Sequence, residues 1–230
     1  MIYIYGDSHA NLSFKNLPLP HHKFYENSIT MFRVGRDKSI MNFDKEGIIN
    51  DASDPKYIRY ARCAKHPFLN RILISISYGE IDCRCHINRQ INLQRDEDDI
   101  ICELVNKYID AIIDNTAGLD AKIVVVGVIP PTKQSDYENL NGKITHDFPF
   151  LGSDQDRVRY TQKTNRLLEE LSKKNNFIYF NPYLHYTRDD GTLKYELSDN
   201  TVHLGDNSHF LEKFVELYEG LALAETPSHY

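Results

Sequence analysis

The sequence Ile123-Val124-Val125-Val126-Gly127-Val128-Ile129 is a nearly continuous apolar run, not an alternation of apolar and polar residues. A second run of this kind is Ile72-Leu73-Ile74-Ser75-Ile76. Continuous runs of this length are typical of strands that are buried on both faces, as in the middle of a parallel sheet. We therefore expect these two segments to be the central strands of the fold.

Strand-like and helix-like segments alternate on both sides of the two runs. The three further predicted strands are residues 2–5, 30–34 and 177–180. Apolar residues at helical spacing predict helices over residues 98–115 and 156–174. A last helix is predicted to begin at a cap formed by Asp206 or Asn207 and to end at about Leu223. This alternation predicts an α/β fold, in which helices cover a parallel sheet.

The chain is predicted to form a single domain over residues 1–230, because it contains no internal repeat, linker or low-complexity segment. Pro130-Pro131 ends the fourth strand, since proline cannot donate to a strand ladder. Residues 132–154 are polar and have no period, so they are predicted to be a long surface loop. Loops of this length are uncommon unless they have a function.

Composition and charge exclude several classes of function. The 230 residues carry 27 Lys and Arg against 33 Asp and Glu, a net charge of −6 without a basic tract, which argues against nucleic-acid and anionic membrane partners. No apolar run is long enough for a membrane span, and the first residues do not resemble a signal peptide, so we expect a cytoplasmic protein. We interpret the four cysteines as free thiols: Cys63, Cys83, Cys85 and Cys102.

The segment Gly6-Asp7-Ser8-His9 follows the first predicted strand, at the sheet edge where ligands bind in α/β folds. A serine there can act as a nucleophile only when a base removes its proton and an acid orients that base. Two downstream histidines could supply the base, His203 and His209. We favour His203, because it precedes the last helix whereas His209 falls in the first helical turn.

Three short blocks occur in order along the chain: Gly6-Asp7-Ser8, Gly79-Glu80-Ile81-Asp82, and Asp199 four residues before His203. Together they resemble the GDSL/SGNH hydrolases, and the GDSH and GEIDCR variants resemble a subgroup associated with glycan modification. The resemblance implies a flavodoxin-like three-layer α/β/α sandwich with a five-stranded parallel sheet. It also implies a serine-dependent ester hydrolase or O-acyltransferase that acts on a carbohydrate or small ester.

The resemblance implies a role for each matching residue. Ser8 would be the nucleophile, His203 the base and Asp199 the acid that orients it. The backbone N–H groups of Ser8 and Gly35 would form the oxyanion hole, since Gly35 follows the second predicted strand.

Supporting roles are implied for three neighbours of these residues, namely Asp7, Asp82 and Arg84. Asp7 and Ser8 could also simply cap the first helix. Asp82 could orient active-site loops by accepting backbone hydrogen bonds, or cap the segment that follows it.

The sequence departs from the family pattern at two places. Ile81 stands where the family has an asparagine that donates to the oxyanion, so either fewer donors suffice or Arg84 or His86 substitutes. The family spaces its acid and base as Asp-x-x-His, and Asp206 and His209 keep that spacing. This second pair is therefore an alternative acid and base.

Two other functions remain open at this point. The segment Asp7-Ser8-His9 also resembles the Asp-x-His opening of metallophosphoesterases, and a catalytically silent domain could bind glycan or protein through residues 132–154. We expect no metal, because Cys83-Arg84-Cys85-His86 lacks the second ligand pair of a closed zinc site. No cofactor is expected, except acetyl-CoA as the acyl donor if the protein is a transferase.

Overall fold

The computed structural model describes residues 1–54, 71–144 and 148–225. Its five strands are β1 (Ile2–Gly6), β2 (His21–Tyr25), β3 (Ile72–Ser77), β4 (Ala121–Val126) and β5 (Ile178–Phe180). They form one sheet with the order β2-β1-β3-β4-β5, and every neighbouring pair is parallel. This is the flavodoxin-like strand order, so the predicted five-stranded parallel sheet is confirmed.

Helices cover both faces of the sheet. They are α1 (Ser8–Ser13), α2 (Met31–Asp37), α3 (Lys45–Ser53), α4 (Ile87–Ile91), α5 (Glu97–Thr116), α6 (Gln134–Asn141), α7 (Asp154–Lys174) and α8 (Ser208–Ala224). Apolar residues of α2, α5 and α7 pack on one face, and those of α1 and α8 pack on the other. Within the described residues, no helix is both long and apolar enough to cross a membrane.

The prediction of a strand at residues 30–34 is wrong. This segment begins α2, and the Thr30 side chain caps the helix by accepting the Arg33 N–H at 3.0 Å. Met31 and Val34 lie three positions apart and are both buried, so the apolar residues that suggested a strand instead form one face of a helix.

The second strand is β2, which the sequence analysis did not identify. It lies at the edge of the sheet and pairs with β1. Its sequence His21-His22-Lys23-Phe24-Tyr25 is polar and only partly buried. An edge strand needs less apolar surface than a central one, so the run lacks the pattern of a buried strand.

The segment 132–154 is not entirely a loop, because it contains α6. No residue of α6 is buried, so the helix leaves no apolar period in the sequence. Further along, the buried Phe150 ring lies beneath two guanidinium groups, those of Arg84 at 5.6 Å and Arg157 at 5.0 Å. The end of this segment is therefore packed into the protein, against Arg84 of the segment after β3.

Three of the cysteines are free thiols, as predicted: Cys83, Cys85 and Cys102. Cys63 lies outside the described residues.

Candidate active site

Ser8 is the first residue of α1, where the chain turns sharply out of β1. Asp7 caps this helix, because its Oδ1 accepts the N–H of His9 at 2.9 Å. A Cβ at Gly6 would lie 2.5 Å from the Ser77 carbonyl oxygen, so the turn requires glycine. The turn thus fixes Ser8 at the carboxyl edge of the sheet, beside the end of β3.

The His203 imidazole reaches Ser8 from the loop that precedes α8. Its Nε2 lies 2.9 Å from Ser8 Oγ, although the two residues are 195 positions apart in the sequence. An antiparallel bridge between Ser198 and Leu204 closes the loop, and the Asp199 N–H donates to the His203 carbonyl at 3.1 Å. The structure thus brings together the predicted nucleophile and the predicted base.

The other ring nitrogen of His203 faces the predicted acid. Nδ1 lies 3.3 Å from Asp199 Oδ2 and 2.9 Å from Thr201 Oγ1. The Thr201 N–H also donates to Asp199 Oδ1 at 2.9 Å and so holds this carboxylate in place. A carboxylate at Nδ1 keeps the proton on that nitrogen, which leaves Nε2 free to accept the Ser8 proton.

The surroundings of Asp199 and His203 give each group the charge that this arrangement needs. Burial opposes ionisation of Asp199, but hydrogen bonds from His203 and Thr201 outweigh it and lower the pKa of Asp199 to about 2. Burial lowers the pKa of His203 below its usual value of 6.5. At neutral pH, Asp199 is therefore ionised and His203 is a neutral base.

The chain after His203 folds back closely on the loop. The Gly205 N–H donates to the Leu197 carbonyl at 2.9 Å. A Cβ at Gly205 would lie 2.3 Å from the Ser198 carbonyl oxygen, so only glycine fits there. This close approach fixes the backbone that carries Asp199.

Asn207 connects this loop to the helix that carries Ser8. Its Nδ2 contacts carbonyl oxygens at the end of α1, those of Leu12 at 3.1 Å, Ser13 at 3.0 Å and Lys15 at 2.8 Å. The Asn207 amide has two N–H donors, which it directs at carbonyls at and just beyond the end of α1, and this fastens the two segments together.

The alternative pair, Asp206 and His209, is not brought to Ser8 as an acid and base. Asp206 Oδ1 accepts the Ser208 N–H at 3.0 Å, at the start of α8. His209 lies 3.6 Å from Glu212 and stacks on the ring of His185 at 4.1 Å. No hydrogen bond or ion pair joins Asp206 to His209, so these two residues do not form an acid and base pair despite their Asp-x-x-His spacing.

Gly35 does not occupy the position that the sequence analysis assigned to it. It lies inside α2, where helical pairing directs its N–H to the carbonyl of Met31. A Cβ there would lie 2.8 Å from the Lys107 Cβ of α5, so this glycine allows two helices to pack closely. The prediction failed because residues 30–34 form a helix rather than a strand.

Asp82 is fully buried and connects the segment after β3 to the start of α2 through hydrogen bonds. Its carboxylate accepts the backbone N–H of Met31 at 2.7 Å and that of Phe32 at 3.3 Å, and it lies 3.3 Å from His86 Nδ1. It therefore orients a neighbouring segment through backbone hydrogen bonds, as one of the two sequence interpretations expected.

Arg84 pairs with Glu80 in a buried, bidentate ion pair. Nε lies 2.7 Å from Glu80 Oε1 and Nη2 lies 3.2 Å from Glu80 Oε2, while Nη1 donates to the carbonyl of Phe148. On its other side, Glu80 Oε2 lies 3.2 Å from His9 Nε2. The residue after Ser8 is thus bound to the block that follows β3.

Comparison with known proteins places this fold. The chain superposes on a Streptococcus pneumoniae protein provisionally described as a platelet activating factor, with a TM-score of 0.58 and 15% identity over 94% of this chain and 82% of that one. It also superposes on a Bacteroides fragilis protein provisionally assigned as an acylhydrolase, with a TM-score of 0.52 and 11% identity over 96% of this chain and 87% of that one. The fold is that of the GDSL/SGNH hydrolases.

A third similar structure is that of a gut microbial diltiazem-metabolizing enzyme, with a TM-score of 0.53 and 11% identity. It covers 95% of this chain and 46% of that larger one. No protein-family model matches the chain, and no curated protein matches it. At these identities, the comparison establishes the fold alone, so any reaction has to be inferred from the geometry of the candidate site.

Ile81 is the residue that stands, by the sequence resemblance, where an asparagine donor was expected. Ile81 is buried, and both residues considered as substitutes are already engaged. Arg84 is bound to Glu80, and His86 lies beside Asp82. Of the predicted oxyanion donors, the Ser8 N–H thus remains in a suitable place, because the first N–H groups of a helix have no partner within it.

Potential metal ligands are not grouped in the part of the chain that the structure describes. Among residues 1–54, 71–144 and 148–225, no group of three or more His, Cys, Asp or Glu side chains could hold an ion. Asp7 and His9 are used instead for the helix cap and the contact with Glu80. Burial also raises the pKa of the Cys83 thiol to about 12, so this sulfur is not a thiolate.

Four residues that shape the candidate site were given no role in it from the sequence: His9, Glu80, Thr201 and Asn207. A spacing of four residues between Glu80 and Arg84 was a usable signal, since such pairs meet on a helical segment. Thr201 contacts Asp199 and His203 within its own loop. The contacts of His9 and Asn207 join distant parts of the chain, and no local pattern identifies them.

Proposed function

We propose that the protein is a serine-dependent ester hydrolase in which Ser8 is the nucleophile, His203 the base and Asp199 its orienting acid. The observation that carries the proposal is the 2.9 Å contact between Ser8 Oγ and His203 Nε2. A neutral imidazole within hydrogen-bond reach of a hydroxyl, with a carboxylate behind it, is what activation of serine requires.

In the first half of the reaction, Ser8 Oγ attacks the carbonyl carbon of the ester while its proton moves to His203 Nε2. The C=O electron pair moves onto the carbonyl oxygen, and the Ser8 N–H donates to that oxyanion. Asp199 stabilises the imidazolium that forms. The tetrahedral species then collapses, the ester C–O bond breaks, and the alcohol leaves with the proton from His203.

In the second half, His203 removes a proton from water, whose oxygen attacks the acyl group on Ser8. Collapse releases the acid, and the proton returns to Ser8 Oγ. Replacing water by a sugar hydroxyl gives O-acyl transfer through the same steps, with acetyl-CoA as a donor of suitable chemistry. We favour hydrolysis over transfer, because water as the acceptor needs no second binding site.

The proposed substrate is a small or carbohydrate ester. The fold neighbour assigned as an acylhydrolase supports acyl-ester chemistry, and the GDSH and GEIDCR blocks favour a glycan as the alcohol. These two observations bear on different halves of the substrate, so acyl and alcohol preferences can be measured separately with p-nitrophenyl esters and acetylated sugars.

The test combines turnover with covalent labelling. p-Nitrophenyl acetate hydrolysis is measured for the native chain and for Ser8→Ala, His203→Gln and Ser39→Ala. Ser39 is a matched control, because its exposed hydroxyl contacts the Ile40 carbonyl rather than an imidazole. A fluorescent phosphonate is then added, and the labelled peptide is identified by mass spectrometry.

We expect turnover and labelling to be lost in Ser8→Ala and His203→Gln and retained in Ser39→Ala, with the phosphonate on Ser8. Full activity in Ser8→Ala would refute the proposal. Absence of turnover and labelling in the native chain, across acetyl, butyryl and sugar esters, would favour the silent binding domain.

A further inference from the structure

A second imidazole lies directly against the proposed base. The ring centroids of His9 and His203 are 4.4 Å apart, and the ring planes are inclined by 45°. His9 is buried and follows the proposed nucleophile in the sequence. The reaction steps above assign it no role.

His9 is held in this position by an ion pair. Its Nε2 lies 3.2 Å from Glu80 Oε2, and both Glu80 oxygens are engaged by Arg84 at 2.7 and 3.2 Å. Arg84 is itself fixed to the carbonyl of Phe148. The ring that touches His203 is therefore held by Glu80 of the segment after β3, which Arg84 in turn connects to the segment that contains Phe148.

The charges of this buried cluster favour a protonated His9. The cluster contains the carboxylates of Asp7 and Glu80 and the guanidinium of Arg84, with exposed fractions of 1%, 5% and 7%. Burial raises the pKa of Asp7 to about 6. Above that pH, two buried carboxylates and one guanidinium leave one negative charge without a countercharge. Unpaired buried charge is costly, and an imidazolium at His9 brings the sum to zero.

We propose that His9 is a positioning residue, held as a cation by Glu80, which packs against the His203 ring and keeps that base neutral until it takes the Ser8 proton. The effect on catalysis rests on the proposed function, whereas the effect on the charge of His203 does not. A second cation beside the imidazolium is unfavourable, so a protonated His9 reduces the affinity of His203 for protons from solvent.

The ionisable groups around both rings are consistent with this role. Asp199 faces His203 from its own loop, and Asp7 faces His9 from the start of α1. Glu80 faces both rings from the segment after β3, and from the same segment the Arg84 cation faces His9, where its charge opposes protonation. Burial alone would lower the pKa of His9, but the contact with Glu80 and the charge of Asp7 reverse this and raise it. For His203, burial and the charge of His9 act together to lower the pKa, against Asp199 and Glu80.

The first test uses the native chain. Histidines are labelled with ¹⁵N, and the ring signals are followed by NMR between pH 4 and 9, with assignments from single His→Gln variants. We expect His9 to remain imidazolium above pH 6.5, and His203 to gain its proton only below that pH. A neutral His9 at pH 6.5 would overturn the proposal.

The second test replaces His9 by glutamine, which keeps a donor for Glu80 and carries no charge. We expect the pKa of His203 to rise by about one unit, since a like charge at this distance has been removed. The matched control is His209→Gln, which removes an imidazole that stacks on His185 instead. An unchanged or lower pKa of His203 in His9→Gln would refute the proposal.

The kinetic readout separates positioning from a general effect on the fold. In His9→Gln, the acidic limb of the kcat/KM profile should move to higher pH by the same interval as the His203 titration. A uniform loss of kcat/KM at all pH values would contradict the proposal. If the native chain hydrolyses no ester, the proposed function fails, while the two titrations still decide the role of His9.

Discussion

The Asp199→Asn substitution tests the proposed acid. The pKa of Asp199 falls from 3.8 to about 2, a change that corresponds to about 2 kcal/mol of interaction with its donors. The side chain is 29% exposed, so solvent screens part of this, and we assign about 1 kcal/mol to stabilisation of the His203 imidazolium. This contribution alone predicts about a fivefold loss of kcat.

A larger effect comes from the position of the proton on His203. The amide of the introduced asparagine can donate to Nδ1, which favours the tautomer with the proton on Nε2. That tautomer cannot accept the Ser8 proton, so the base is blocked in most molecules. Together, the two effects predict a loss of about 10³-fold in kcat with little change in KM.

The assay is steady-state hydrolysis of p-nitrophenyl acetate at pH 7.5, with circular dichroism to verify folding. Asp206→Asn is the matched control, because it changes the acid of the alternative pair, whose carboxylate contacts the Ser208 N–H. It should keep kcat within twofold of the native value. A severe loss in Asp206→Asn with a mild one in Asp199→Asn would refute the assignment.

Three further predictions concern the same region. The kcat/KM of the native chain should be constant above neutral pH and fall tenfold per pH unit below the pKa of His203, which burial holds under 6.5. A pH–rate profile measures this, and an acidic limb that begins above pH 7 would contradict it. Glu80→Gln should destabilise the fold by about 3–5 kcal/mol in urea unfolding, because Arg84 is left buried without its anion; a loss under 1 kcal/mol would show that the pair is solvated. Gly205→Ala should reduce kcat at least tenfold, because the added Cβ displaces the loop. At Gly220 an added Cβ has no atom within 4 Å, so Gly220→Ala should stabilise α8 by about 0.5–1 kcal/mol in thermal unfolding. The same kcat in both variants would contradict the steric argument.

The central part of the fold could be predicted because burial on both faces leaves a direct mark in the sequence. The strands β3 and β4 are runs of Ile, Leu and Val for this reason. The edge strand β2 has only one neighbour in the sheet and a polar sequence, so it was missed. The helix α2 was mistaken for a strand because a Thr cap and two nearby apolar residues fit either structure over so short a stretch.

The site could be predicted where each residue follows a strand or precedes a helix. Ser8 and His203 were placed at one sheet edge on that basis, and the structure brings them together. Gly35 was misplaced because its role depended on the wrong second strand. Contacts such as that between His9 and Glu80, across 71 positions, depend on side-chain packing between elements that no spacing rule describes.

The distance along the chain between Ser8 and His203 has a consequence for biosynthesis. While the ribosome still holds the last segment, a nascent chain exposes a serine hydroxyl that has no imidazole beside it, and this hydroxyl is an ordinary alcohol. The pair forms only when the final helix docks and Asn207 reaches the end of α1. On the proposed function, reactivity towards esters therefore begins only after translation has passed His203 and α8, and it reports that this loop has docked against α1.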